Sequence, residues 1–270
     1  FEVWKKNSGF EYDKETLEEV SPYFINHTGT AFYINKNTLL TNKHVVYQDE
    51  NYIKKCDKIV GFEPYEGKYE TYEHYDTNYL AKSADIEILK TKSETKSYIE
   101  ISKDDIENGM DVVIIGFPKG ASISKYPKTS KGIVYSEFGL NNNIDEFILN
   151  ATSYGGSSGS PVLNNKGELV GILWGGDVQQ LKDEKGEITS EIDDPNISYA
   201  VKFNYITKFL KKNNIAYEEK HILKSIFKTY SLKSIFGKFF TEETSNIAKT
   251  NIPSLRLIEC YQKNEEWTFG

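Results

Sequence analysis

Short runs of β-branched and aromatic residues, bounded by glycine, asparagine and lysine, recur along most of this chain. A first set comprises Thr30 to Ile34, Thr38 to Thr41, Ile59 to Phe62, Ile86 to Leu89 and Val112 to Gly116. A second comprises Gly132 to Glu137, Phe147 to Ala151, Pro161 to Leu163, Leu169 to Trp174 and Ser198 to Phe203. Runs of this length, separated by turns such as Asn164-Asn165-Lys166-Gly167, predict strands. Many short strands without intervening helices predict a sandwich or a barrel, and two such sets predict two barrels.

Helical spacing is confined to the ends. Residues 1–22 are polar, with a short helix predicted over Lys14 to Val20, and form an expected lead-in on the outside. After the last strand, Ile206, Phe209 and Leu210 recur at helical spacing; Asn204 is the predicted cap and Asn213-Asn214 the predicted stop. From His221 to Phe240, Leu-Lys-Ser-Ile-Phe occurs twice, at 223–227 and 232–236. Copies nine residues apart face opposite sides of one continuous helix, so the segment either breaks near Ser231 or is apolar nearly all round. Lys224, Lys228, Lys233 and Lys238 support a competing reading of 221–240 as a basic amphipathic surface for a protein partner or a membrane. The expected layout is a lead-in over 1–22, an all-β domain over 23–214 and a helical extension or connector over 215–270.

Composition narrows the function. With 38% hydrophobic and 14% aromatic residues, the 270-residue chain has the makings of a folded core. A net charge of −7 and a single arginine, Arg256, argue against nucleic-acid binding, which needs a basic face and bidentate phosphate contacts. Cys56 and Cys260 allow at most one bridge. Two free thiols are expected, with stability left to the core. No apolar run reaches membrane-spanning length. The start at Phe1 without a methionine suggests an upstream segment, so the lack of a signal peptide says nothing.

Candidate chemistry centres on Gly155-Gly156-Ser157-Ser158-Gly159-Ser160-Pro161-Val162. Glycines around a central serine allow a tight turn that aims the backbone N–H groups of Gly156 and Ser158 at one point beside the Ser158 hydroxyl, as an oxyanion hole requires. A flexible Gly-Ser turn is the bland alternative, which the following strand weakens. A hydrolase elbow needs glycine where Ser160 stands, and a P-loop needs a Gly-Lys pair that is absent. Ser153, Ser157 and Ser160 remain rival hydroxyls. The base must come from His27, His44, His74 or His221; His44 alone lies at a strand end between apolar residues. Asp85, at the mouth of Asp85-Ile86-Glu87-Ile88-Leu89, is placed to orient a base, with Asp57 and Asp76 as weaker rivals.

Together, Thr41-Asn42-Lys43-His44-Val45-Val46, Gly156-Ser157-Ser158-Gly159-Ser160-Pro161-Val162, Ile115-Gly116-Phe117-Pro118 and Gly132-Ile133-Val134 resemble segments of the chymotrypsin-like serine peptidases. The bacterial glutamyl-endopeptidase branch and the high-temperature-requirement proteases are the nearest in pattern. The resemblance covers roughly residues 24 to 214. It implies two six-stranded antiparallel β-barrels with a C-terminal helix, a His44-Asp85-Ser158 triad, and substrate pairing along Trp174-Gly175-Gly176. It implies no metal and no organic cofactor.

Two departures limit the transfer. Ser157 stands where trypsin-like enzymes have an aspartate that pairs with a newly cut N-terminus, so activation by that ion pair is not expected. Leu173 stands where glutamate-specific members have a histidine, so a neutral, apolar P1 residue is expected, with Ser153 near the pocket floor. The principal alternatives are a binding module that kept the barrels without activity, and a cytoplasmic protease effector domain within a larger protein.

Overall fold

A computed structural model describes residues 23–49, 51–75, 84–122, 124–182, 188–217 and 239–263. Strands β1 (Tyr23–Asn35), β2 (Thr38–Thr41), β3 (Lys58–Glu63), β4 (Lys68–His74) and β5 (Glu87–Lys90) come first. They are followed by β6 (Asp111–Gly116), β7 (Lys128–Ser136), β8 (Glu146–Ala151), β9 (Pro161–Leu163), β10 (Leu169–Lys182) and β11 (Ile188–Lys202). Helix α1 (Phe203–Lys212), helix α2 (Phe239–Asn251) and strand β12 (Leu255–Lys263) complete the described chain.

The strands close into two six-stranded antiparallel barrels, as the resemblance implies. The first runs β12-β1-β2-β5-β4-β3 and back to β12; the second runs β6-β7-β8-β11-β10-β9 and back to β6. The two rings share one permutation, so β12, last of the described strands, occupies the place that β6, first of its set, holds in the second barrel.

Residues 215–270 are therefore not wholly a helical extension. Helix α2 is present, but Leu255–Lys263 is a strand that pairs with β1 on one side and β3 on the other. Its residues from Leu255 to Tyr261 are all buried, because both faces are covered, and this removes the alternation that marks a half-exposed strand. Two charges go in with it: the Arg256 guanidinium lies 5.0 Å from the Tyr33 ring centroid, and Glu259 accepts a hydrogen bond from the Tyr261 hydroxyl at 2.9 Å. Burial pushes the Glu259 carboxyl above its ordinary pKa.

The expectation of free thiols is also overturned. Cys56 and Cys260 form a disulfide, with Cα atoms 5.5 Å apart at a sequence separation of 204. The pairing of β12 with β3, which sets Cys260 opposite Ile59, brings the two sulfurs together, and sequence separation cannot reveal such a contact.

Strand β1 shows why the barrels pack as they do. Its successive side chains point to opposite faces. Ala31 and Tyr33 join a cluster with Leu39, Ile59, Tyr72, Ile258 and Cys260, whereas Phe32 and Ile34 join the larger core that includes Ile115, Phe117 and Val162 of the second barrel. A β-branched and aromatic strand buried on both faces thus joins the two barrels.

Helix α1 begins at Phe203 after Lys202, and Asn204 lies inside it, so Asn204 is not the cap. The stop is as predicted: Asn214 adopts φ +55°, a left-handed conformation that asparagine tolerates at a helix end. The proposed lead-in, Asp76, His221 and nearly all of 221–240 lie outside the described residues.

Candidate active site

The site lies between the barrels and draws on both. Strand β2 pairs with β5, setting Thr41 opposite Glu87, so the turn after β2 meets the segment leading into β5. That turn is a short 3-10 segment, Lys43–Val45, carrying His44. The residue it meets is Asp85. One carboxylate oxygen of Asp85 accepts the backbone N–H of Lys43 at 2.7 Å and of His44 at 3.2 Å; the other contacts His44 Nδ1. The Asn42 amide donates to the Asp85 carbonyl at 2.6 Å. These donors fix the carboxylate, and charge-assisted bonds of this kind are the stronger class. The side chain of Asp85 is 14% exposed and that of His44 is 37% exposed, so one ring nitrogen is held by the carboxylate while part of the imidazole stays exposed.

Ser158 comes from the second barrel, on the loop between β8 and β9. The peptide planes of this loop are set by their carbonyls. Gly155 O accepts from Lys119 N at 2.5 Å, and Ser157 O accepts from Ser160 N at 3.0 Å. In a planar trans peptide the N–H points opposite to the C=O. The N–H groups of Gly156 and Ser158 are thereby turned the other way. Gly156 sits at φ +88°, and a Cβ there would meet Phe117 O at 2.6 Å, so only glycine serves. The Ser158 hydroxyl lies 3.5 Å from Trp174 O.

A buried threonine on the opposite barrel clamps this loop. Thr30 N donates to Ser158 O at 2.8 Å, and its hydroxyl donates to Gly156 O at 3.1 Å while accepting from Phe117 N at 3.1 Å. Thr41 in turn donates to Thr30 O at 2.7 Å. The approach is so close that a Cβ on Gly159, at φ +84°, would stand 1.9 Å from Thr30 O. Sequence reasoning missed Thr30, Thr41 and Asn42. The last two adjoin His44 in the motif and were open to notice, whereas nothing local marks Thr30.

The rival residues sit elsewhere. Ser157 is buried and its hydroxyl accepts from Tyr154 N at 3.3 Å; Ser160 is fully buried. Asp57 accepts from Lys263 N at 2.8 Å, on the far strand. His74 packs edge-on against Tyr47, and His27 lies behind the His44 turn with its pKa lowered by burial.

Strand β10 offers an edge beside Ser158. It pairs with β9 at Leu169, Gly171 and Ile172, while Leu173 bonds the serine loop through Gly159 N and Ser160 O. Beyond Leu173, the Trp174 ring stacks on Tyr199 with centroids 5.3 Å apart, and a Cβ on Gly175 would meet nothing within 4 Å. Next to this edge, Ser153 Oγ and Ser198 Oγ lie 2.7 Å apart and Ser198 donates to Ala151 O at 3.0 Å. With the Ser198 proton so engaged, the Ser153 proton falls on Ser198, and the pair presents lone pairs rather than donors. Ser198 was not anticipated.

The trypsin-like peptidase domain family matches residues 29–172, more than half of the chain, and the chain belongs to that family. A second family of peptidases, S46, matches residues 135–216. Among solved structures, the Rv3671c protease in its inactive form aligns with a TM-score of 0.50 at 16% identity over 68% of this chain and 83% of its own. The HtrA-type protease AlgW, solved with a decapeptide, aligns with a TM-score of 0.50 at 19% identity over 69% of this chain and 51% of its own. A serine endoprotease from Yersinia pestis aligns with a TM-score of 0.48 at 24% identity, over 68% and 56%. At these identities the two alignments with a TM-score of 0.50 speak for the fold, and the family match makes the chain a peptidase acting on protein or peptide substrates.

Proposed function

We propose that the chain is a serine endopeptidase working through an acyl-enzyme, with Ser158 as nucleophile, His44 as base and Asp85 as the group that orients the base. The observation that carries this reading is the Asp85 carboxylate, anchored by the N–H groups of Lys43 and His44 and set against His44 Nδ1. That contact leaves Nε2 for the Ser158 proton. His44 takes the proton as Ser158 Oγ attacks the carbonyl, gives it to the leaving amine, and activates water for the second half-reaction. The N–H groups of Gly156 and Ser158 receive the developing oxyanion; one such donor is worth about 3–4 kcal/mol in the transition state. Catalytic hydrogen bonds of free enzymes tighten when substrate arrives, which suits the present position of the Ser158 hydroxyl near Trp174 O.

Substrate adds as a strand along Trp174, Gly175 and Gly176, whose outer edge is open. The P1 pocket takes a neutral side chain. Leu173 contributes no charge, and the Ser153–Ser198 pair turns oxygen lone pairs, not donors, toward an entering group, which repels a carboxylate. This separates the enzyme from the glutamate-specific branch it resembles.

A fluorophosphonate probe tests the nucleophile: wild type labels and Ser158→Ala does not. Labelling that survives the alanine change moves the nucleophile elsewhere. N-terminal sequencing of fragments from a treated proteome tests the pocket, and strong cleavage after glutamate, aspartate, lysine or arginine overturns the neutral P1.

A further inference from the structure

Behind the His44 turn, and outside the machinery described above, His27, Cys56 and Cys260 converge. Their potential ligand atoms lie within 4.8 Å of one another, with both cysteines buried. His27 Nε2 is buried without a hydrogen-bond partner, an uncommon state for a polar atom. The ring's other side is engaged, since the backbone at Val45 and His44 hydrogen-bonds His27. With Nε2 unpartnered, that bond falls to Nδ1. A neutral imidazole that donates Nδ1–H to a backbone carbonyl carries its lone pair on Nε2, the tautomer in which protein histidines bind metals. Burial favours this neutral form.

We propose that the Cys56–Cys260 pair and His27 constitute a redox-gated site: a disulfide when oxidised, and a Cys2His site for a thiophilic divalent cation such as Zn2+ when reduced. A dithiol reductant supplies two electrons and two protons. The S–S bond breaks, the reductant is oxidised to its own disulfide, and two thiols result. Metal binding then releases the thiol protons as the thiolates coordinate. Tetrahedral zinc with sulfur ligands at about 2.3 Å holds them about 3.8 Å apart, so the two sulfurs must part once the bond between them is broken. The fourth position is left to water. In either state one covalent or coordinate link joins β12 to the segment before β3. Cys56 N also donates to Val46 O at 3.1 Å, so the site touches the catalytic turn through both Cys56 and His27.

The test uses the full chain, reduced anaerobically with a phosphine that is then removed, and titrated with Zn2+ against a chromophoric chelator; Co2+ serves as the spectroscopic substitute. The reduced chain is expected to take up one Zn2+ with submicromolar affinity and to give a thiolate-to-Co2+ charge-transfer band in the near ultraviolet. The oxidised chain and the Cys56→Ser/Cys260→Ser chain take up none, and His27→Ala binds at least about 10-fold more weakly. Equal affinity in His27→Ala, uptake by the oxidised chain, or no uptake by the reduced chain overturns the proposal. Should reduction unfold the chain, Zn2+ must restore its cooperative melting, and failure to do so is equally fatal. None of these readouts depends on proteolysis.

Discussion

The two barrels share one strand order but are assembled differently. The second is drawn from a single stretch, β6 to β11, between Asp111 and Lys202. The first takes five strands from Tyr23 to Lys90 and borrows its sixth, β12, from Leu255–Lys263. The second barrel needs no covalent staple, whereas the first is fastened by Cys56–Cys260. A strand that returns from far along the chain pays a larger loop-closure entropy, and a cross-link removes that entropy from the unfolded chain. The difference also falls on function, because the borrowed strand pairs with β1, and β1 carries the Thr30 that holds the serine loop. His44 and Asp85 belong to the stapled barrel and Ser158 to the contiguous one.

The most severe way to break this asymmetry is to end the chain before Leu255. Leu255, Leu257, Ile258 and Cys260 are fully buried, and each large apolar side chain among them contributes about 1.5–3 kcal/mol. Proteolytic activity is expected to vanish, with amides of β1 and β3 losing hydrogen-exchange protection before those of β7 and β8. A peptide spanning 252–263 should restore part of both; a truncated chain that melts like the wild type would refute the borrowed-strand account.

Replacing both cysteines with serine should cost about 3–5 kcal/mol in denaturant unfolding, with the loss concentrated in the first barrel. Uniform loss across both barrels would show that they unfold as one unit. A narrower cut, Thr30→Val, removes the bridge to Gly156 O and leaves Phe117 N unpaired. About 1–3 kcal/mol of stability is expected to go, together with about 10-fold or more in kcat, since the serine loop loses its clamp. Unchanged kcat would mean that the loop is held from the second barrel alone.

The smallest effect is electrostatic. Burial raises the Glu259 pKa above the 4.5 of the free side chain, so the folded state binds its proton more tightly than the unfolded state does. The associated stability is present below pH 4.5 and is lost as pH rises through the raised value. Glu259→Gln is therefore expected to raise the melting temperature by about 2–4 °C at pH 8 and to leave it unchanged at pH 4. A gain that is the same at both values would point to packing instead of charge.

Much of the second barrel was legible because its strands follow the rules of local pattern. Pro161 to Leu163 is predicted and observed with the same bounds, and β7 and β8 differ from expectation only at their ends, but Val112 to Gly116, grouped with the first set, is β6 of the second barrel, where it pairs with β7 and β9. The β10–β11 hairpin runs past Trp174 to Lys182 and starts at Ile188, ahead of Ser198, because Gln179-Gln180 and Asp193-Asp194-Pro195 look like loop while the backbone still pairs. In the first barrel, β4 was missed: Lys68–His74 carries Lys68 and Glu73 on exposed positions and a half-buried Glu70, and of its side chains Tyr72 alone is buried. Strand β12 was missed for the opposite reason, burial on both faces with Arg256 and Glu259 inside.

The sequence by itself determined the two sets of strands that make barrels and the glycines at 156 and 159 that permit the tight serine turn, because these rest on short-range pattern, whereas the His44, Asp85 and Ser158 assignments came from a family resemblance. Only the tertiary structure decided which strand completes the first barrel, that Cys56 meets Cys260, that Thr30 clamps the loop of Ser158, and that His27 stands behind His44. Each of those is a contact between distant segments, fixed by ring closure and side-chain burial, for which no neighbouring residue carries a signal.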